Sequence, residues 1–211
     1  MSEKIIAIVA NGRPLESKLA RQALESASII IAADGGAISC KKSGITPDFI
    51  IGDFDSISRD TLDHFHDVEV IHLQDQYSTD MEKALNFAES LNPDRLIILS
   101  AFGKRMDHTS ANMLFLTEYN EKIPIEIYDN YGRMNILKEG KHIIKYGPGT
   151  LISFFSLTPV KNLSLEGFRY NLQKKDYDPY FVGMSNVCEQ EECIIEFEKG
   201  RIYCYLVLKE N

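Results

Sequence analysis

Short apolar runs alternate with segments of helical character up to about residue 129, and this alternation restricts the fold more than any other feature of the chain. The runs are Ile5–Val9, Ser28–Ala33, Asp48–Ile51, Val68–Leu73, Arg95–Leu99 and Ile125–Asp129. Ile5–Val9 is continuously apolar, as a strand buried on both faces must be. Helical character spans Pro14–Ala27, a short stretch before Pro47, Asp60–His66, a segment opened by Thr79, and Asp107–Tyr119. Thr79 and Glu82 have the spacing of a capping box. Repeated strand–helix alternation predicts an α/β fold with a parallel sheet covered by helices on both faces.

The pattern changes near residue 138. Gly140, Gly147, Pro148 and Gly149 punctuate the chain, and Leu151–Leu157, Leu163–Glu166, Cys193–Phe197 and Ile202–Leu208 read as short strands with no helices between them. This predicts a Rossmann-like parallel-sheet domain over residues 1–138 and a small antiparallel β domain, sandwich or barrel, over 139–211. At 211 residues and 44% hydrophobic content the chain can bury a core in each.

Ligands of an open parallel sheet bind beyond the carboxyl ends of its strands. Asn11-Gly12 follows the first strand, Asp34-Gly35-Gly36 the second, and Gly52-Asp53-Phe54-Asp55-Ser56 the third. Gln76-Tyr77-Ser78-Thr79-Asp80 follows the fourth, and Gly103-Lys104-Arg105-Met106-Asp107-His108 the fifth. Each loop carries glycine, carboxylate or both, and all belong on one edge. Glycines let backbone approach phosphate, and helix N-termini offer N–H groups to anions. Asp53 and Asp55, two apart in a loop, can face one Mg²⁺, with Asp80 as a third oxygen ligand. Arg105 supplies a planar cation for phosphate. Taken singly these signals are weak. An Asp at such a turn is usually a cap, Gly35-Gly36 usually a turn, and His108 with Asn112 merely shares a helix face. The case for phosphoryl transfer rests on the five loops together.

In this order and spacing, the motifs Asp34-Gly35-Gly36, Gly52–Ser56, Thr79–Lys83 and Gly103–His108 resemble the thiamine pyrophosphokinase family. Gly167–Leu172 and Gly183–Asn186 resemble that family's C-terminal pattern, so the likeness spans nearly the whole chain. It implies an α/β ATP-binding domain followed by a β-sandwich that binds thiamine and dimerises. It implies a homodimer with active sites between subunits, and transfer of the β,γ-pyrophosphoryl group of ATP to the thiamine hydroxyl, releasing AMP. By residue carry-over, Asp53, Asp55 and Asp80 are the expected Mg²⁺ and phosphate-centre acids, joined in catalysis by Arg105 and Asp107. Asn11, Gly12, Asp34, Gly35, Gly36, Thr79, Lys83, Arg105, Asp107 and His108 are expected around ATP. Ser185 and Asn186 are expected near thiamine, with Gln76 carrying little weight. A general base, if used, is a carboxylate such as Asp80 or Asp107.

The chain departs from the family at three places. Lys104 replaces the second of two glycines before the arginine; it either adds a phosphate contact or is merely accommodated, the latter favoured on sequence. Ser100 stands where glycine is common, and Tyr77 where an acid is. With no Trp, a stacking partner for thiamine must be Tyr or Phe, and Tyr177, Tyr180 and Phe181 are candidates. Rival readings are a pyrophosphokinase for another alcohol and a non-catalytic binding module on the same fold. A haloacid-dehalogenase-type phosphatase fits poorly, because Asp53 follows the third strand and Ile57 stands where that class prefers Thr or Val.

A formal charge of -8 disfavours nucleic acid and membrane surfaces as partners. It is no obstacle to ATP, since Mg²⁺ bridges carboxylate to phosphate. Cys40, Cys188, Cys193 and Cys204 form no CxxC pair, and reduced thiols are expected. The run Ile5–Ala10 is too short for a signal peptide or a spanning helix, which predicts a cytoplasmic protein.

Overall fold

A computed structural model describes residues 3–14, 16–75, 77–119 and 123–208. The chain forms two compact units, the first ending at Asn130 and the second beginning at Tyr131.

The first unit runs β1 (Ile5–Val9), α1 (Lys18–Glu25), β2 (Ile29–Ala33), α2 (Gly36–Ser43), β3 (Phe49–Gly52), α3 (Arg59–His64), β4 (Glu69–His72), α4 (Asp80–Ser90), β5 (Arg95–Leu99), α5 (Met106–Glu118) and β6 (Ile125–Tyr128). Its strands lie in the order β6-β5-β1-β2-β3-β4. Every pairing between them is parallel. The chain works outward from β1 to β4, then crosses back to place β5 on the other side of β1. The edges of β1 therefore flank the point where strand order reverses, and a crevice opens there.

Burial explains why β1 is apolar at every position. Ile5, Ala7 and Val9 pack in one core with Ala20, Leu24, Ala37 and Cys40 of α1 and α2. Ile6 and Ile8 are fully buried on the opposite face, where α4 packs against β1, β2 and β3. Each such side chain contributes about 1.5–3 kcal/mol by leaving water. The first helix starts later than the expected Pro14: Ser17 is its N-cap, and its side chain accepts from the Ala20 N–H. At the sheet edge, β4 exposes Glu69, Val70 and His72, so the fourth run is half-solvated.

The second unit contains β7 (Gly132–Leu137), β8 (Gly140–Ile144), β9 (Leu151–Ser156), β10 (Val160–Glu166), β11 (Leu172–Tyr177), β12 (Phe181–Val187), β13 (Cys193–Phe197) and β14 (Ile202–Val207). They form two antiparallel sheets, β12-β9-β14-β7 and β11-β10-β13-β8. Ile152, Phe154, Ile202 and Cys204 of one sheet share a core with Leu163, Leu165, Ile195 and Phe197 of the other. The architecture is a sandwich.

Candidate active site

Hydrogen bonds lock the loop after β1 to the loop after β5. The Gly12 N–H donates to the Ser100 carbonyl at 2.6 Å and the Arg13 N–H to the Phe102 carbonyl at 2.8 Å. A Cβ on Gly12 would collide with both carbonyl oxygens, so only glycine permits this approach. Ser100 sits at φ 54°, the left-handed region that favours glycine. These two loops form one wall of a cavity of about 610 Å³.

The acids come from β2 and β3. The Asp34 N–H donates to the Ile51 carbonyl at 2.7 Å, which sets Asp34 beside Gly52. Phe54 adopts φ 65° and turns the next loop back on itself. As a result Asp34, Asp53 and Asp55 each bring one carboxylate oxygen within 4.8 Å of the others. Ser56 Oγ donates to Asp55 Oδ1 at 2.8 Å. Asp34 is only 1% exposed, and neither of its carboxylate oxygens has a hydrogen-bond partner of ordinary geometry. Burial, reinforced by the Asp80 charge, raises its pKa above the usual carboxylate value; the nearby Ser56 hydroxyl and Gly35 N–H moderate the effect.

On α4, Thr79 and Glu82 form a reciprocal capping box, as their spacing predicts. The helix presents Asp80 and Lys83. Lys83 Nζ lies 3.5 Å from Asp53 Oδ2 and 3.4 Å from Asp80 Oδ1, although the residue is only 5% exposed. Burial works against its ammonium form, but Asp80 and Asp53 outweigh it and the lysine pKa lies above its ordinary value. Burial also raises the Asp80 pKa, with Lys83 opposing and Asp53 adding to the rise.

The N-terminus of α5 carries Arg105, Asp107 and His108. Arg105 grips Asp107 with two guanidinium nitrogens, Nε donating to Oδ1 at 3.1 Å and a second nitrogen donating to Oδ2. This fork pulls the Asp107 pKa down to about 2 and raises that of Arg105. Across the cavity mouth, Lys104 Nζ donates to Asn11 Oδ1 at 2.9 Å. Asn112, one turn after His108, donates from Nδ2 to the Ala101 carbonyl at 2.8 Å and holds α5 against the β5 loop.

Asn11, Gly12, Asp53, Asp55, Thr79, Asp80, Lys83, Arg105, Asp107 and His108 thus line one cavity. Asp34 completes the acid cluster. Gly35 and Gly36 are buried, Gly35 under the Asn11 amide and Gly36 against the Val9 carbonyl. Gln76 lies outside the described residues. The Asp34–Asp53–Asp55 grouping depends on β2 and β3 being neighbours, which strand spacing alone does not reveal. Thr109 also lines the cavity without a motif of its own to mark it.

In the second unit, Ser185 and Asn186 stand at an irregularity of β12, between Gly183 and Asn186. Ser185 adopts φ 55°, and its N–H donates to Ser153 Oγ at 3.0 Å. Asn186 is buried and clasps the Tyr170 backbone, accepting from its N–H at 3.0 Å and donating to its carbonyl at 2.9 Å. The Arg169 N–H donates to the Val187 carbonyl, and Phe168 bridges Cys188. The two C-terminal motifs are therefore one hydrogen-bonded substructure. Of the candidate stacking rings, Phe181 is in the core and Tyr177 packs on it at 4.6 Å, leaving Tyr180 exposed.

An acid cluster and three cations around the loops at the reversal point of a parallel sheet define an α/β enzyme unit that handles phosphate. The particular family follows from comparison. Residues 20–127 match the model described as thiamin pyrophosphokinase, catalytic domain, and residues 141–202 the one described as thiamin pyrophosphokinase, vitamin B1 binding domain; the chain belongs to the thiamin pyrophosphokinase family. It is 28% identical over 148 residues to a thiamine pyrophosphokinase of Bacillus subtilis, covering 67% of this chain and 69% of that one. A thiamin pyrophosphokinase family protein of Enterococcus faecalis superposes with a TM-score of 0.82 at 23% identity, covering 98% of this chain and 100% of its own. The thiamin pyrophosphokinase of Candida albicans gives 0.81 at 21%, covering 98% and 90%. At those identities the two structures bear on the fold.

Proposed function

We propose that this cavity binds ATP with Mg²⁺ and passes its β,γ-pyrophosphoryl group, as a block, to the hydroxyl of thiamine, giving thiamine diphosphate and AMP. Membership of the family supports the reaction. The observation that carries the site assignment is the buried Asp34 carboxylate, which lacks hydrogen bonds of ordinary geometry and lies with Asp53 and Asp55 in one cluster. A buried charge left this way is costly unless a cation joins it. Three carboxylates are hard oxygen donors and fit Mg²⁺. Asp34, Asp53 and Asp55 would hold the ion, with Asp34 rather than the expected Asp80 as the third ligand, since Asp80 lies outside the cluster and pairs with Lys83; the ion when bound offsets charge on the phosphate oxygens.

The other residues position and neutralise. Lys83 ties Asp53 to Asp80 and keeps both turned toward the cavity. Arg105, braced by Asp107, presents exposed N–H groups to the departing AMP or the transferring group. If a carboxylate assists removal of the thiamine hydroxyl proton, Asp80 is the better candidate. Its raised pKa makes it the stronger base, whereas Asp107 at about 2 is a weak one.

We assign thiamine binding and dimerisation to the second unit, with Ser185 and the Tyr170 turn held by Asn186 as the contact region. Val182 and Met184, exposed apolar side chains on β12, offer a homodimer a surface to bury, and we place its active sites between subunits by likeness to the family. Four free thiols suit a reducing cytoplasm, and a net charge of -8 suits small-molecule partners better than nucleic acid. Among the described residues no helix is long and apolar enough to cross a membrane.

The test is incubation of the purified chain with ATP and Mg²⁺, with and without thiamine. AMP and thiamine diphosphate should appear in equal amounts and only with thiamine present. Nucleotide turnover indifferent to thiamine, or none at all, would overturn the reading.

A further inference from the structure

The cations of the cavity are not equally committed. Lys83 is shared by Asp53 and Asp80, and Arg105 is forked onto Asp107. Among the described residues, Lys104 is the cavity-lining cation with no carboxylate at ion-pair distance. Its partner is the amide oxygen of Asn11. A neutral amide is a weaker acceptor than a phosphate oxygen, so this ammonium can move to an anion at little cost.

Its position gives the anion a direction. The acid cluster stands on the loops after β2 and β3, whereas Lys104 follows β5 and meets Asn11 after β1. The cavity is therefore net acidic on the side of β2 and β3, where Lys83 offsets one of the carboxylates of Asp34, Asp53, Asp55 and Asp80, and net cationic on the side of β5, where Asp107 offsets Arg105 but not Lys104. A metal-bound polyphosphate has matching polarity, with the cation at one end and uncovered phosphate oxygens at the other. The N-terminus of α5 adds little to this end, since the Asp107 carboxylate already accepts the His108 N–H at 3.0 Å, which leaves Lys104 as the uncommitted donor.

We infer that Lys104 binds the polyphosphate chain of ATP on the β1–β5 side of the cavity, leaving Asn11 for a phosphate oxygen when nucleotide enters. The inference rests on the reading of this cavity as the ATP site. It reverses the sequence-based preference for a lysine merely accommodated in its loop. Sequence spacing puts Lys104 in a loop, and only the fold sets it against Asn11.

The test measures MgATP affinity by titration calorimetry for wild type, Lys104→Gln, Lys104→Gly and Lys104→Arg, together with thermal stability and the KM for thiamine. Loss of one exposed charge-assisted hydrogen bond should weaken MgATP binding by about tenfold in the Gln and Gly variants. The Arg variant should bind within about threefold of wild type. Melting temperature and the thiamine KM should stay put, and the salt dependence of MgATP affinity should flatten in the Gln variant. Unchanged MgATP affinity in the Gln variant overturns the inference, provided wild type releases AMP in the presence of thiamine. A lowered melting temperature with equal loss in the Arg and Gln variants also overturns it, because Lys104 would then be a clamp between the two loops. If wild type itself neither binds MgATP nor forms AMP, the parent reading of the cavity fails instead.

Discussion

The loops after β1 to β5 and the loops around β12 are both dense in polar side chains, but they treat those groups in opposite ways. In the first unit satisfaction is incomplete. The buried Asp34 carboxylate has no hydrogen bond of ordinary geometry, Lys83 sits at the long distances of 3.5 and 3.4 Å from two acids, and Lys104 rests on an amide. In the second unit it is nearly complete. Asn186 is 4% exposed, yet its amide holds Tyr170 in both directions and also accepts from the Val187 N–H at 2.9 Å. The Gly167 carbonyl likewise accepts from the Glu189 N–H and from Cys193 Sγ. Buried polar groups that satisfy one another build scaffold, while those left short of partners are waiting for a ligand.

Mutations can break this contrast if it is wrong. The largest effect is expected at Asp53. Asp53→Ala should cut thiamine-dependent AMP formation by at least about a thousandfold while the melting curve stays close to wild type. Normal turnover in that variant would remove Asp53 from the reaction. Asn186→Ala should do the reverse. It strands the Tyr170 N–H and carbonyl, at about 2–4 kcal/mol of unfolding free energy, and leaves MgATP affinity untouched; urea denaturation and calorimetry read the two quantities. A cost below about 0.5 kcal/mol, small against that scale, would mean that the clasp is not structural.

The third prediction concerns pH. The folded-state pKa of Asp34 is raised above its ordinary 3.8, so between those two values the native state holds more protons than the unfolded one. Stability from this group is therefore present at low pH and lost as pH rises through that window. Asp34→Asn should remove that part of the slope in metal-free protein, and the difference between the two stability–pH curves isolates it. Added Mg²⁺ should stabilise wild type above the window and do less for the variant. Equal Mg²⁺ stabilisation of both would dissociate Asp34 from the ion. The smallest effect belongs to Thr79→Ala, a first-unit residue with a satisfied hydroxyl. Loss of the cap should cost about 1 kcal/mol with little change in MgATP affinity, and a large affinity loss would instead make Thr79 a ligand contact.

Legibility in the sequence followed burial. The inner strands β1, β2, β3 and β5 were readable because central parallel strands must be apolar along their length. In the second unit, β7, β8, β11 and β12 went unread. β11 is an exposed edge strand with the sequence Leu-Gln-Lys-Lys-Asp-Tyr, and β12 is interrupted by a register shift. Gly132–Leu137 does alternate buried and half-buried positions, but only Arg133 to Ile136 alternates polar with apolar, and Gly132 and Leu137 break that pattern at its ends. The carboxylates and Arg105 could be named from their loops. Their partnerships could not, because Asp34 meets Asp53 and Asp55 only when β2 lies beside β3.

The sequence by itself determined the α/β-then-β order, the loops that carry the chemistry and the family to which the chain belongs. Each of these is written in local pattern, where burial demands apolar residues and tight turns demand glycine. Tertiary structure decided which charges face one another: Asp34 with Asp53 and Asp55, Lys83 between Asp53 and Asp80, and Lys104 against Asn11. Those relations join residues up to 93 positions apart. They depend on strand order, and strand order reflects the packing of the whole sheet.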